Sequence, residues 1–233
     1  MGRRSVSGVV GELLGLLAPP ACVACRAPVA RAEVLVCAAC LRALPWLRGR
    51  RCPRCALPRH PARGCPAAGA AFAGAWAPLA YEGSARALVG ALKFRGALAV
   101  AGLMGAQLAA HLPAALRGPP APALVPVPPH PVRRRRRGFD PAAELAAALA
   151  ARTGLPAAAI LRRRDRAPRQ VGLGRAQRRR AGRLVIEATR APPARALLID
   201  DVHTTGATLD ACARALVAAG CGEVVAVTYA RAL

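Results

Sequence analysis

The sequence predicts a mixed α/β fold, a parallel sheet flanked by helices, preceded by a small zinc-ribbon-like module. Two observations carry this. From about residue 75 onward, short Val/Leu/Ile runs alternate with Ala-rich stretches of helical periodicity, the pattern of a parallel sheet covered on its faces. Before that point, seven of the nine cysteines crowd between Cys22 and Cys65, six of them as CxxC pairs. The chain has 233 residues, room for one ordinary domain plus a small one, and we divide it into residues 1–72 and 73–233.

The N-terminal segment "MGRRSVSGVVGELLGLLAPPAC" carries two arginines before an apolar stretch, as a signal peptide does. Glu12 interrupts that stretch, and Val9, Leu13, Leu16 and Leu17 fall at helical spacing, so we expect a short amphipathic helix. No run reaches the roughly 18 apolar residues of a spanning helix. We therefore expect no transmembrane segment and a cytoplasmic protein. In a reducing compartment the cysteines are better read as metal ligands than as disulfides. Thioredoxin-like pairs are the other option, but no βαβ pattern surrounds these.

Two residues between cysteines let both thiolates face one centre, the geometry of tetrahedral zinc. Cys22, Cys25, Cys37 and Cys40 give a full ligand set. Cys52, Cys55 and Cys65 need one more donor, and His60 is the nearest candidate. Little else in these residues can be buried, so zinc would be structural. Cys212 and Cys221 lie far from the pairs and suit a core.

In the larger region, residues 75–81 predict a strand and residues 83–112 one or two helices with a break at Gly96. Residues 122–128, "PALVPVP", predict a strand ending in a rigid loop. "PAAELAAALAARTG" predicts a helix with Pro141 in its first turn and Gly154 at its end. "GRLVIEA" and "RALLID" predict further strands, "ATLDACARALVAAG" a helix ending at Gly220, and "EVVAVTYA" the last strand. In such sheets ligands bind at the carboxyl ends of strands, where Asp200 and Asp201 fall.

After that acidic pair come Thr204, Thr205, Gly206, Ala207 and Thr208, opening a helix. Free N–H groups, hydroxyls and the helix dipole there favour an anion, and the glycine allows close approach. Carboxylates beside a phosphate cradle make sense if the ligand also offers sugar hydroxyls, which they accept as strong hydrogen bonds. The site therefore suits a ribose with a phosphate at one end.

"ALLIDDVHTTGATL" resembles the phosphoribosyl-pyrophosphate (PRPP) motif of type I phosphoribosyltransferases. That resemblance implies that Asp200 and Asp201 hold the ribose hydroxyls and that Thr204 to Thr208 hold the 5′-phosphate. The CxxC-rich front, "LVPVPPHPVRRRRRGFDPAAELA", "RRDRAPRQVGLGRAQRRR" and the PRPP motif together resemble the ComF family over essentially the whole chain. This family comprises competence-associated proteins and close relatives named after gluconate utilisation. It implies a zinc-finger module joined to a phosphoribosyltransferase-like domain, Mg²⁺ with PRPP, and a role in uptake of transforming DNA. A competence helicase or other DNA-uptake proteins are the partners implied. Two departures stand out. Cys65-Pro-Ala-Ala68 occupies the place of a closing CxxC, and Asp140 that of an asparagine after Gly-Phe.

By the same resemblance, Arg133 to Arg137 follow the strand where the pyrophosphate binds, and residues 162–183 resemble the mobile loop that closes over PRPP. Arg133, Arg137, Arg164 and Arg175 are the candidate pyrophosphate contacts, since guanidinium pairs phosphate oxygens in bidentate fashion. His130 has no evident role. The net charge of +24 and 34 arginines beside a single lysine, Lys93, go beyond that need. Between His130 and Arg190, 17 arginines face 4 acids. The excess suits single-stranded DNA bound through its phosphates, or else a solvated face of an arginine-rich composition. Aromatics are only 3% of residues, which argues against stacking as its main contact. Two functions remain open: phosphoribosyl transfer to an unknown acceptor, and a non-catalytic DNA-binding module that keeps the PRPP fold as a regulatory or relic site.

Overall fold

The computed structural model describes residues 20–60, 64–164 and 184–233. The helix expected before residue 19 and the loop over residues 165–183, with Arg175, lie outside them.

Two long parallel strands form the middle of the sheet, β6 (Arg195–His203) and β7 (Glu223–Arg231). Beside β6 runs β3 (Ala123–Pro126). Beside β7 run β1 (Gly74–Trp76) and β2 (Leu79–Ala80), one edge interrupted at Ala77–Pro78. All these pairings are parallel. The buried runs Leu197–Ile199 and Val224–Val227 explain the choice, because apolar side chains pointing both ways need cover on both faces.

One face is covered by α2 (Gly83–Arg95), α3 (Ala99–His111) and α5 (Pro141–Thr153). Leu88, Leu92, Met104, Leu108, Leu145 and Leu149 of these helices pack on Leu124, Leu197, Ile199, Val227 and Tyr229. Gly96 ends α2 in the left-handed conformation (φ 64°), the break expected there. α5 begins at Pro141 and ends at Gly154 (φ 72°), as its sequence predicts. The other face is covered by α6 (Ala207–Ala218), through Leu209, Cys212, Ala213 and Leu216 packed on Val125, Ala196, Leu198 and Ala226.

One expectation needs correction. The strand within "GRLVIEA", β5 (Val185–Ala188), is absent from the main sheet and pairs antiparallel with β4 (Leu161–Arg164). Its residues are only half buried, too little cover for a central parallel strand. Arg133 to Arg137, which follow the loop after β3, lie in a short helix, α4 (Pro131–Arg137). Pro131 sits in its first turn, His130 Nδ1 accepts from the Val132 N–H (3.3 Å), and Gly138 closes it at φ 79°.

The front module includes helix α1 (Ala38–Arg42) and lies along the β1/β2 edge. Ala80 N donates to Pro45 O (2.9 Å), Leu47 N to Pro78 O (2.8 Å) and Ala75 N to Pro53 O (2.8 Å). Backbone groups that an open sheet edge would expose are thus partly satisfied. The module reaches both faces. Cys22, Val36 and Leu44 join the core under α2 and α3, whereas Cys55, Ala56, Ala67 and Phe72 join the core under α6.

Candidate functional site

Two groups of four donors assemble in the front module. Cys22, Cys25, Cys37 and Cys40 form one, and Cys52, Cys55, His60 and Cys65 the other, with all donor atoms of each within 4.8 Å of one another. The Sγ atoms of Cys25 and Cys37 are 3.7 Å apart, and those of Cys52 and Cys65 are 3.9 Å apart. A tetrahedral site with Zn–S bonds of about 2.3 Å sets its sulfurs about 3.8 Å apart, whereas a disulfide needs about 2.05 Å. All nine cysteines are free thiols. Both groups fit structural zinc.

Local chemistry supports thiolates at each first position. Burial alone would raise the Cys22 thiol, but N–H groups of Cys25, Cys37 and Ala24 outweigh it and bring the pKa down to about 6. The Cys37 amide contact to Cys22 Sγ is 3.3 Å. Cys52 is likewise brought to about 6 against its own burial, by N–H groups of Cys55 and Arg54 and by His60.

The second site is a cavity of about 290 Å³ at the carboxyl ends of β3 and β6. The helix after β3 that packs on the sheet, α5, lies on one face, while α6 after β6 lies on the other. The connections therefore part between these strands and open a crevice, the usual place for a ligand in such sheets. Asp200, Asp201, Thr204, Thr205, Gly206, Ala207 and Thr208 line it together with Arg133 and Arg137. Arg164 does not; its Nε pairs with Glu187 on the β4–β5 hairpin at 2.7 Å. Its neighbour Arg163 lines the cavity instead, as does His130. In a strand adjacent side chains point to opposite faces, so the number alone could not choose between Arg163 and Arg164.

The acidic pair is held by its surroundings. Asp201, 3% exposed, accepts from Lys93 Nζ at 2.7 Å. Asp200 Oδ1 accepts from the Asp201 N–H at 2.8 Å. Burial, and then the charge of Asp201, hold the Asp200 carboxyl well above the ordinary carboxylate range. Asp140, across the cavity, caps α5 by accepting from Ala142 N (3.0 Å) and Ala143 N (3.3 Å). That is a capping role asparagine fills equally well.

The loop 204–206 turns back on His203. Gly206 has φ 79°, and a Cβ there would stand 2.8 Å from His203 Nε2. His203 is 2% exposed, edge-on to Phe72 of the front module. Its burial, with the charge of Arg231, lowers its pKa to about 4, so it is neutral at pH 7.

Sequence reasoning missed Lys93, Arg163, His203 and Arg231. Lys93 had a signal, being the only lysine in the chain. Arg163 lies beside Arg164 but on the other side of the strand, His203 sits within the acidic motif itself, and only Arg231 lies far along the sequence from the Cys55 it touches.

Fold and site define an α/β sheet protein with an acidic pair and a small-residue loop in its crevice, carrying two zinc knuckles along one sheet edge. Among protein families, the double zinc ribbon domain matches residues 13–69, the segment that holds both ligand groups. No curated protein matches the chain. No helix among the described residues is long and apolar enough to cross a membrane.

Proposed function

We propose that the crevice binds PRPP or a related ribose 5-phosphate ligand with Mg²⁺, and that the protein transfers the phosphoribosyl group to an acceptor. The supporting observation is the single cavity shared by Asp200, Asp201, residues 204–208, Arg133 and Arg137. The carboxylates would accept the ribose hydroxyls, and the N–H groups and hydroxyls of the loop would hold the 5′-phosphate at the start of α6. Arg133 and Arg137 carry charge suited to the leaving pyrophosphate. In the transfer, the acceptor lone pair forms a bond to ribose C1 while the C1–O bond to pyrophosphate breaks. Positive charge develops at C1 and negative charge on the leaving group. Mg²⁺ bound with the pyrophosphate would neutralise part of that charge. The protein's part is positioning and charge stabilisation.

A second reading, single-stranded DNA binding, has its own observation. A groove beside the cavity joins Arg133, Arg136 and Arg137 to Phe94 and Phe139. Phe94 is 72% exposed, with the Arg137 guanidinium 5.2 Å from its ring centre. One aromatic and several cations at one place are what a strand needs, despite the low aromatic content. The zinc ribbon also fits a nucleic-acid-related role.

Calorimetry with PRPP and Mg²⁺ tests the first reading. The Asp200→Asn/Asp201→Asn variant loses charge-assisted acceptors, each worth about 1.5–3 kcal/mol, so affinity should fall at least tenfold. Wild-type protein that binds neither PRPP nor a nucleoside monophosphate would refute the ligand assignment. Pyrophosphate release over a panel of acceptors then distinguishes an enzyme from a binding module.

A further inference from the structure

Arg231 ends β7 with its side chain inside the protein, 4% exposed. No ion pair to it occurs among the described residues, and its side-chain hydrogen bonds there are all to carbonyls. Nε donates to Cys55 O at 2.8 Å. One terminal nitrogen donates to His203 O, Thr204 O and Ala232 O, each at 2.7 Å. One buried cation therefore bridges a ligand residue of the second zinc site and the first residues of the crevice loop.

A buried guanidinium without a counter-charge is costly. Zinc with three thiolates and a neutral imidazole carries a net charge of −1, and Arg231 Nε reaches the backbone of its ligand Cys55 at 2.8 Å. The zinc site is thus the natural partner for Arg231. Three further contacts join the segment that follows Cys65 to the residues on either side of the loop. Ala71 N donates to Asp210 Oδ1 in the first turn of α6 (2.7 Å), Arg214 reaches Gly69 O (3.2 Å), and Phe72 packs edge-on to His203. The first zinc site has none of these; it belongs to the core on the opposite face.

We propose that Arg231 is a positioning residue that couples the second zinc site to the loop of residues 204–208, so that filling this site fixes the loop in its ligand-binding shape. The effect on ligand rests on the ribose-phosphate reading of the loop; the coupling itself does not. By reciprocity, a ligand in the loop strengthens zinc at the second site.

The test uses the full-length, zinc-loaded chain, with Cys65→Ser and Arg231→Lys as variants. Zinc per chain, amide hydrogen exchange and PRPP–Mg²⁺ affinity are measured on each. Cys65→Ser should lose one zinc, and exchange at residues 204–208 should quicken at least tenfold. Amides of α3 should keep their protection, which shows that the fold persists. Arg231→Lys keeps the charge but loses the planar fork, and should quicken the same amides with both zinc ions retained. If Arg231→Lys does not fold, Cys65→Ser decides alone. Loop exchange unchanged after loss of the second zinc overturns the coupling. Quickened exchange in a protein whose wild type binds no PRPP would uphold the coupling and refute only the ligand reading. Where the wild type does bind, both variants should weaken binding at least tenfold.

Discussion

Replacing Gly206 by alanine should damage the protein through two separable causes. The first is the backbone. Gly206 sits at φ 79°, ψ 0°, and a left-handed conformation costs a residue with a Cβ roughly 1–2 kcal/mol. The second is space. The new Cβ would stand 2.8 Å from His203 Nε2 and 3.5 Å from its Cδ2. The obstacle is the ring of a buried histidine pinned between Phe72 and the loop, so it cannot swing away as an exposed chain end would. Overpacking of this kind costs about 1–3 kcal/mol. Gly206→Ala should therefore lose about 2–5 kcal/mol in urea unfolding at pH 7, with Tm lower by roughly 4–20 °C. In a His203→Ala background the steric part disappears, and the same substitution should cost only about 1–2 kcal/mol. The double-mutant cycle should accordingly show a coupling of about 1–3 kcal/mol. A loss below about 0.5 kcal/mol, or an equal loss in both backgrounds, would refute the contact between loop and ring.

The remaining predictions concern metal, pH and charge. Metal analysis of protein purified without chelator should find two zinc ions per chain, and Cys22→Ser should remove one; three disulfides in place of metal would refute this. His203 has a folded pKa of about 4 against 6.5 unfolded, so the unfolded chain takes the proton first. Its share of stability is full above pH 6.5 and is lost as pH falls toward 4, about 3 kcal/mol at 1.36 kcal/mol per pH unit. His203→Gln should lack that part of the acid sensitivity in matched denaturation series, and equal sensitivity in both proteins would refute it. For DNA, engaging five phosphates gives a log–log salt slope near −3.5, and changing Arg134, Arg135 and Arg136 together to Gln should flatten it by about two. A shallow slope refutes strand binding, and a slope unmoved in the triple variant refutes a part for the arginines of α4 in it.

The larger region was legible where a local pattern meets a local need. Gly96 and Gly154 stop helices because only they take φ 64° and 72° cheaply, and Pro141 starts one because its missing N–H would be idle there anyway. The CxxC spacing marked six of the eight donors of the two zinc groups, since two intervening residues leave a knuckle little choice, and the incomplete second set pointed to Cys65 and to His60 as the nearest remaining donors. The helix Pro131–Arg137 was not legible. Five successive arginines carry no periodicity, and the proline that starts the helix also signals a loop. The β4–β5 hairpin escaped for a related reason. "LRRR" alternates no apolar face, and its partner lies beyond an arginine-rich stretch in which nothing marks the pairing. Arg231 could not have been read at all, because 176 residues separate it from Cys55.

The same distinction explains the charge of the site. Arginine fills 34 of the 35 cationic positions in the chain, so composition alone explains an arginine almost anywhere. It does not explain Lys93, whose ammonium lies 2.7 Å from the buried Asp201 and borders both the cavity and the Phe94 groove. Two adjacent carboxylates in a crevice repel each other, and the raised pKa of Asp200 reflects burial together with that repulsion. A lysine at Asp201 relieves it with one compact charge on a flexible stem, where a guanidinium would demand a planar, bidentate seat. Lys93 is 25% exposed and its stem is flexible, so its ammonium can pair with Asp201 while the crevice is empty and turn toward an arriving anion. Asp201 would then have its oxygens free for hydroxyl donors. An acidic pair held by one movable cation suits a ligand that is anionic at its ends and rich in hydroxyls between them. The sugar–phosphate backbone of a DNA strand offers no hydroxyl donors to those carboxylates, which favours the ribose-phosphate reading within the cavity and leaves the DNA reading to the Phe94 groove beside it.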